Sequence, residues 1–241
     1  MSLADVPLLI LAGGRATRLK HLSAETAKYL QPITAQKRFA DFHLEWVARN
    51  GFKRVLLSIG YLGDQVRQYC GNGENFGLQI DYIDDGPTPL GTGGATVKTL
   101  SHPFESLAVT YGDTILDFDC AQFFASFQKS GLNAGMTLLK DPVGHPCNAK
   151  LEGLFAIYDK FRANPNQTYV DYGFLLLSRR AILSFPKDKS FDLAEPLGKL
   201  SAEKQLFGFQ VYEHFLEIGT PEALQKFREA FSGDKIINLK Q

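Results

Sequence analysis

Short apolar runs recur along this chain, and the segments between the early ones carry helical spacing. The runs are Val6–Ala12, Arg54–Ile59, Leu78–Ile83, Leu107–Tyr111, Ala134–Leu139, Val170–Leu177 and Phe207–Tyr212. Their length and flanking turn residues predict strands rather than buried helices. Phe39, Phe42, Trp46 and Val47 share one helical face, and Gly51 supplies a stop. Val66 and Tyr69 fit a second helix after Gly63, and Gly94–Leu100 reads as a third. Strands alternating with helices predict an α/β fold, with a mainly parallel sheet covered by helices on both faces.

The second half is less regular. Stretches 148–158 and 169–178 bracket a polar loop, Arg162–Thr168, and predict a strand-rich insertion rather than a separate domain. Near the end, Thr220-Pro221-Glu222 combines an N-cap, a proline at the first helical position and an acid in the first turn. Ala223, Leu224, Phe227, Ala230 and Phe231 then form one apolar stripe. Phe123, Phe124 and Phe127 also sit at helical spacing and are expected in the core, with Asp117 and Asp119 as cap or surface residues. No internal repeat or linker stands out, and 241 residues are enough for one large core. One domain, 1–241, is expected.

The 26 basic and 26 acidic side chains cancel. Such a chain has no global field for nucleic acid or an anionic membrane, and neither partner is expected. The balance is uneven, however. Residues 1–40 carry six basic and two acidic side chains, whereas 81–120 carry seven acidic and one basic. Two readings stay open: solvated faces, or a site with one pole for phosphate and one for a cation. Cys70, Cys120 and Cys147 show no Cys-x-x-Cys spacing, which fits a reduced compartment. Val6–Ala12 is too short for a membrane helix and lacks a signal peptide's basic front, so a cytoplasmic location is expected.

Chemistry concentrates in a few loops. The first strand breaks into Gly13-Gly14 and then reaches Arg15 and Arg18. Glycines let backbone N–H groups face an anion and let a planar base approach the chain. An arginine fork suits phosphate oxygens, although a strand turn with surface arginines would read similarly. The loop is neither Gly-x-Gly-x-x-Gly nor a P-loop. A second glycine-rich turn, Pro89-Leu90-Gly91-Thr92-Gly93-Gly94-Ala95, leads into a helix. Val109-Thr110-Tyr111-Gly112-Asp113 places a carboxylate at a strand's carboxyl end, where open α/β sheets bind ligands. His21, His43, His102, His145 and His214 lack metal-site spacing, and no Gly-x-Ser-x-Gly elbow occurs.

Leu11-Ala12-Gly13-Gly14-Arg15-Ala16-Thr17-Arg18-Leu19, followed by Lys28-Tyr29-Leu30-Gln31-Pro32-Ile33, resembles the sugar-1-phosphate nucleotidyltransferases, or NDP-sugar pyrophosphorylases. Ala16 stands where that family commonly has glycine, and Ala27 and Tyr29 replace the prolines around its lysine. The resemblance implies a Rossmann-like, three-layer α/β/α fold of the glycosyltransferase-A kind, with a mixed, mainly parallel sheet. It divides the domain into a nucleotide-binding half (about 1–120) and a sugar-phosphate-binding half (about 121–232).

The site residues follow from the same resemblance. Arg18, Lys28 and Asp113 are expected to be catalytic. Leu11, Ala12, Gly13, Gly14, Arg15, Thr17, Asp85, Gly91, Thr92 and Gly112 would bind the nucleotide. Asn148, Lys160, Asp171 and Gly173 would bind the sugar phosphate. Asp113 and Glu217 would hold Mg²⁺; the family's commoner residue at the second position is Asp, and the longer Glu can still offer oxygen. Phe215-Leu216-Glu217-Ile218-Gly219-Thr220-Pro221 is similar to a subgroup of short guanylyltransferases acting on heptose 1-phosphate or related sugars.

The implied reaction joins an NTP, with GTP favoured, to a sugar 1-phosphate, giving NDP-sugar and pyrophosphate. The phosphate nucleophile has a second pKa of about 6 and needs no general base at neutral pH. Three readings compete: another base (CTP, UTP or dTTP), another acceptor as in molybdopterin or phosphocholine nucleotidyltransferases, and a non-catalytic nucleotide-sugar sensor. Homo-oligomer formation is left open. No left-handed helical repeat follows residue 231, so no fused acyltransferase domain is expected.

Overall fold

The computed structural model describes residues 2–14, 18–19, 25–86, 88–140, 142, 146–162, 165–187 and 189–231. Arg15, Ala16 and Thr17 lie outside the described residues. The strands are β1 (Leu8–Leu11), β2 (Arg54–Ile59), β3 (Gln79–Asp84), β4 (Ser106–Tyr111), β5 (Thr114–Ile115), β6 (Ala134–Lys140), β7 (Ala149–Glu152), β8 (Phe155–Tyr158), β9 (Tyr169–Ser178), β10 (Leu206–Val211) and β11 (Leu216–Glu217). The α-helices are α1 (Phe39–Arg49), α2 (Gly63–Cys70), α3 (Gly91–Lys98), α4 (Cys120–Ser130), α5 (Arg179–Leu183), α6 (Ala194–Ala202) and α7 (Pro221–Phe231).

A nine-stranded sheet runs in the order β3-β2-β1-β4-β9-β6-β10-β8-β7. Strands β3, β2, β1 and β4 are mutually parallel, as are β6 and β10. Strand β9 runs against both β4 and β6, and β8 against β10. The expected mixed, mainly parallel sheet is therefore present. β5 and β11 pair separately as a two-stranded antiparallel unit.

Burial on both faces explains why the strands read as unbroken apolar runs. Leu8 and Ile10 point to one core and Leu9 to the other, and Val55 and Leu57 alternate with Leu56 in the same way. The first core takes side chains from α1, α2, α4 and α7, including Phe39, Val66, Phe123 and Phe227. The second takes Ile182 of α5, Leu197 and Leu200 of α6, and the partly buried Val97 of α3. Phe174 of β9 anchors the first core by ring contacts with Trp46, Phe52, Phe118 and Phe123 at 5.2–6.2 Å. Aromatic pairs of this kind contribute about 0.5–1.5 kcal/mol beyond area burial.

Local signals act as read. Gly51 has φ +87° after α1. Asp119 accepts the Gln122 N–H at the start of α4, and Thr220 Oγ1 accepts the Ala223 N–H at the start of α7.

Three readings need correction. Stretch 169–178, a strand as expected, does not belong to an insertion: as β9 it lies in the middle of the sheet, because Tyr172–Leu177 find apolar partners on both faces. Stretch 148–158 is a hairpin, β7–β8, on the far edge of the same sheet. The third helix begins at Gly91 rather than Gly94 and ends at Lys98, where a 3₁₀ turn, Thr99–Ser101, takes over. Helices α5 and α6 went unread, although Leu193, Leu197 and Leu200 sit at helical spacing and Pro196 falls in a first turn. Among the described residues, no helix is long and apolar enough to cross a membrane.

Candidate active site at the carboxyl ends of β1 and β4

β1 and β4 pair in register from Leu8–Ala108 to Leu11–Tyr111, and both chains then turn at glycine. The Gly112 N–H donates to Leu11 O at 3.0 Å. A Cβ on Gly112 would lie 2.8 Å from Ala12 Cβ, so only glycine permits this approach. Gly13 is wedged against Ile59 and Asp85: a Cβ there would lie 3.2 Å from Asp85 Oδ2.

Three hollows follow one another along these strand ends. The first, about 200 Å³, is lined by Gly13, Gly14, Asp85, Gly91, Thr92 and Ala95. The second, about 250 Å³, shares Leu11 and Gly14 with it and adds Arg18, Lys28, Gly112 and Asp113. The third, about 260 Å³, shares Arg18, Tyr111 and Asp113 with the second and adds Asp171, Gly173 and Glu217. Most of the sequence-expected residues thus line one trough.

The middle of the trough holds its charge. Lys28 Nζ lies 2.5 Å from Asp113 Oδ2, with the two side chains only 14 % and 23 % exposed. Thr114 Oγ1 donates to the other oxygen of Asp113 at 3.0 Å. Glu217 pairs with Thr114 across β5–β11, and the Ile218 N–H donates to Asp113 O at 2.9 Å. A Cβ on Gly219 would lie 3.0 Å from Glu217 Oε2 and 3.8 Å from Arg18 Nη2, which places both side chains over that glycine. Two carboxylates, Asp113 in the turn before β5 and Glu217 on β11, fit Mg²⁺, which binds through one or two carboxylates together with substrate phosphates. Among the described residues no group of three or more potential ligands forms.

The loop before Lys28 explains a departure from the family pattern. The Ala27 N–H donates to Gln65 Oε1 at 3.0 Å, a bond that proline could not make. Tyr29 is buried against Phe39 and His43. Burial lowers the His43 imidazole to about 3, so it is a neutral core group.

At one end of the trough, the Asp85 carboxyl is pushed up by burial, against the Leu90 N–H and the Lys98 charge, with Asp84 adding to the rise. Its Oδ1 is buried without a hydrogen-bond partner. Gly91 begins α3 with φ +70°. At the other end, the half-buried Asp171 accepts the Gly173 N–H at 2.9 Å. Asn148 spends its Oδ1 on the Asp171 N–H, also at 2.9 Å, so it braces Asp171. Lys160 lies outside the three hollows, on the turn after β8, paired with Asp192 at 2.6 Å. No sequence motif surrounds Asp192, so only the fold brings it to Lys160.

Burial raises the Asp171 carboxyl to about 6, opposed by the Gly173 N–H and Lys160 and assisted by Asp192. The native state then binds more protons than the unfolded chain from about pH 4 to about pH 6. Stability contributed by protonated Asp171 is present at the low end of that window and is lost as pH rises through it. Asp171→Asn is expected to flatten this pH dependence and to raise the melting temperature at pH 7.5 relative to the parent. Parallel melting curves from pH 4.5 to 8 check this; unchanged curves would place Asp171 in contact with water.

The sequence pattern of the nucleotidyl transferase family matches residues 8–148. The chain is 29 % identical over 223 residues to the D-glycero-alpha-D-manno-heptose 1-phosphate guanylyltransferase of Campylobacter jejuni, covering 91 % of this chain and 97 % of that protein. It is 24 % identical over 230 residues to the mannose-1-phosphate guanylyltransferase of Mycobacterium tuberculosis, covering 92 % of this chain and 63 % of that longer protein. In fold it is similar to HddC from Yersinia pseudotuberculosis, at 24 % identity, 94 % coverage of this chain and 99 % of that one. The TM-score is 0.74, and 0.71 for the HddC complex with GMP-PN.

Proposed function

We propose, for a chain that belongs to the nucleotidyl transferase family and is a sugar-1-phosphate nucleotidyltransferase, that its nucleotide is GTP and its acceptor a heptose or hexose 1-phosphate. The observation that carries this reading is the continuous trough, with a glycine-walled hollow at one end, Arg18, Lys28, Asp113 and Glu217 in the middle, and Asp171 at the far end.

The first hollow favours guanine for a chemical reason. Guanine presents two adjacent donors, N1–H and the 2-amino group, and a carboxylate accepts both. Adenine, cytosine and uracil lack that pair. The Asp85 carboxylate, which lines this hollow, would supply such an acceptor once its side chain turned toward the base. The guanylyltransferase names of the relatives support the same base. Asp85→Asn replaces one acceptor with a donor and is expected to lower kcat/KM for GTP about 100-fold, with a smaller loss for other NTPs. This corresponds to about 2.7 kcal/mol. Steady-state assays with four NTPs check it; an unchanged GTP preference would remove Asp85 from base reading.

In the middle, Arg18 binds the leaving pyrophosphate oxygens, and Lys28 turns from Asp113 toward the transferring phosphate. Bound Mg²⁺ would supply charge neutralisation at the α-phosphate, held by Asp113 and Glu217. The acceptor phosphate is already ionised, so positioning and electrostatics carry the reaction. Lys160 would take the acceptor phosphate. One sheet runs through both halves of the described residues, which supports reading them as a single unit. Pyrophosphate release by the purified protein, with Mg²⁺, four NTPs and a panel of hexose and heptose 1-phosphates, tests the reading. Release that requires GTP and one sugar phosphate is expected; release with GTP alone, or none in any combination, overturns it.

A further inference from the structure

Thr92 lines the nucleotide end of the trough and Lys160 lies outside it, yet one side chain touches both. Lys160 Nζ lies 2.6 Å from Asp192 Oδ2. Thr92 Oγ1 donates to Asp192 Oδ1 at 3.4 Å and accepts the Leu193 N–H at 2.8 Å. The same Oδ1 accepts the Ala194 N–H at 3.0 Å.

The segment that carries Asp192 is bound tightly to the nucleotide loop. The Phe191 N–H donates to Leu90 O, and the Gly93 N–H donates to Phe191 O. A Cβ on Gly91 would lie 2.5 Å from Phe191 O, and one on Gly93 would lie 2.1 Å from the Phe191 ring. Residues 191–193 therefore form a strap against the first turn of α3, and Asp192 cannot shift without moving that turn. By contrast, the Lys160 arm is free to exchange partners, because the lysine and Asp192 side chains are 45 % and 36 % exposed. Asp171, which lines the sugar end of the trough, lies within the electrostatic reach of both groups.

We infer that Asp192 is a positioning residue that links the two substrate subsites. Its carboxylate stations Lys160 for the acceptor phosphate while its other oxygen braces Thr92 and the start of α3 at the nucleotide. This rests on the reading of Lys160 as the acceptor-phosphate lysine and of Thr92 as a nucleotide contact. A flexible lysine has many rotamers, and a fixed carboxylate beside it reduces the ordering that phosphate binding would otherwise require.

The two arms separate by substitution. Asp192→Asn keeps an oxygen for Ala194 and Thr92 but removes the charge that holds Lys160. It is expected to raise KM for the sugar 1-phosphate about tenfold, with KM for the NTP changed less than about twofold. Asp192→Ala removes both arms and is expected to raise both KM values, and Asp192→Glu is expected to recover part of the Asn loss. The deciding measurement is a double-mutant cycle: in a Lys160→Met background, Asp192→Asn is expected to leave KM for the sugar phosphate unchanged. A tenfold rise in both backgrounds, or no rise in either, overturns the positioning role. If the parent protein turns over normally, those outcomes reject this inference alone. A parent protein that forms no NDP-sugar rejects the functional reading and this inference with it.

Discussion

Replacing Asp113 by alanine is expected to lower NDP-sugar formation about 100- to 1,000-fold, corresponding to about 2.7–4 kcal/mol of transition-state stabilisation. Asp113 stands at the end of β4 beyond Gly112, within 2.5 Å of Lys28 and directly beside the β5–β11 pair that carries Glu217. Its loss removes one of the two carboxylates proposed for Mg²⁺ and leaves the Lys28 ammonium without its partner. Because both side chains retain some exposure, the cost to folding is smaller than the 3–5 kcal/mol typical of breaking a fully buried pair. Asp113→Asn, which keeps the shape, serves as the companion variant. GTP binding measured by calorimetry is expected to survive in both while turnover collapses. Near-normal turnover in purified Asp113→Ala protein would end the metal role. Glu217 gives the matching series: Glu217→Asp keeps activity and Glu217→Gln loses it. Equal activity in the parent and both variants would remove Glu217 from the metal site.

Gly91→Ala is expected to damage both stability and nucleotide binding. Gly91 has φ +70°, where an L side chain costs about 1–2 kcal/mol. Its new Cβ would meet the Phe191 carbonyl oxygen at 2.5 Å, and a backbone atom cannot rotate away as a side chain can. Overpacking of this kind adds about 1–3 kcal/mol. Together, about 3 kcal/mol corresponds to a melting temperature lower by about 6–12 °C in a chain of this size. Relief of the clash must displace either the start of α3 or the 191–193 strap, so KM for the NTP is expected to rise about tenfold. Gly14→Ala is the control for stability, since a Cβ there meets nothing within 4 Å. Thermal melting and NTP titration check the pair; a Gly91→Ala protein as stable as the Gly14→Ala protein would contradict the clash.

The strands were legible because burial on both faces leaves a continuous apolar signature. β2 occupies the expected Arg54–Ile59, and the other expected runs fall within two residues of observed strands. The caps at Asp119 and Thr220 were legible because they act within three residues. Helix α6 and the central placement of β9 were not. Neighbours in a sheet are chosen by long-range packing, and periodicity along the chain carries no information about which strand lies beside which. Ala27 stands where the resembled family has proline, and the sequence offers no reason for it. The reason, a hydrogen bond to Gln65, joins residues 38 positions apart.

The sequence by itself determined the α/β class, the glycine turns, and the charged residues at the ends of β1 and β4, since these depend on local geometry and residue chemistry. Only the tertiary structure decided that Lys28 pairs with Asp113, that Glu217 joins them across a separate two-stranded sheet, and that Asp192 bridges Lys160 to Thr92. Each of these contacts joins segments at least 32 residues apart, and such approaches exist only once the sheet has brought the loops to one edge.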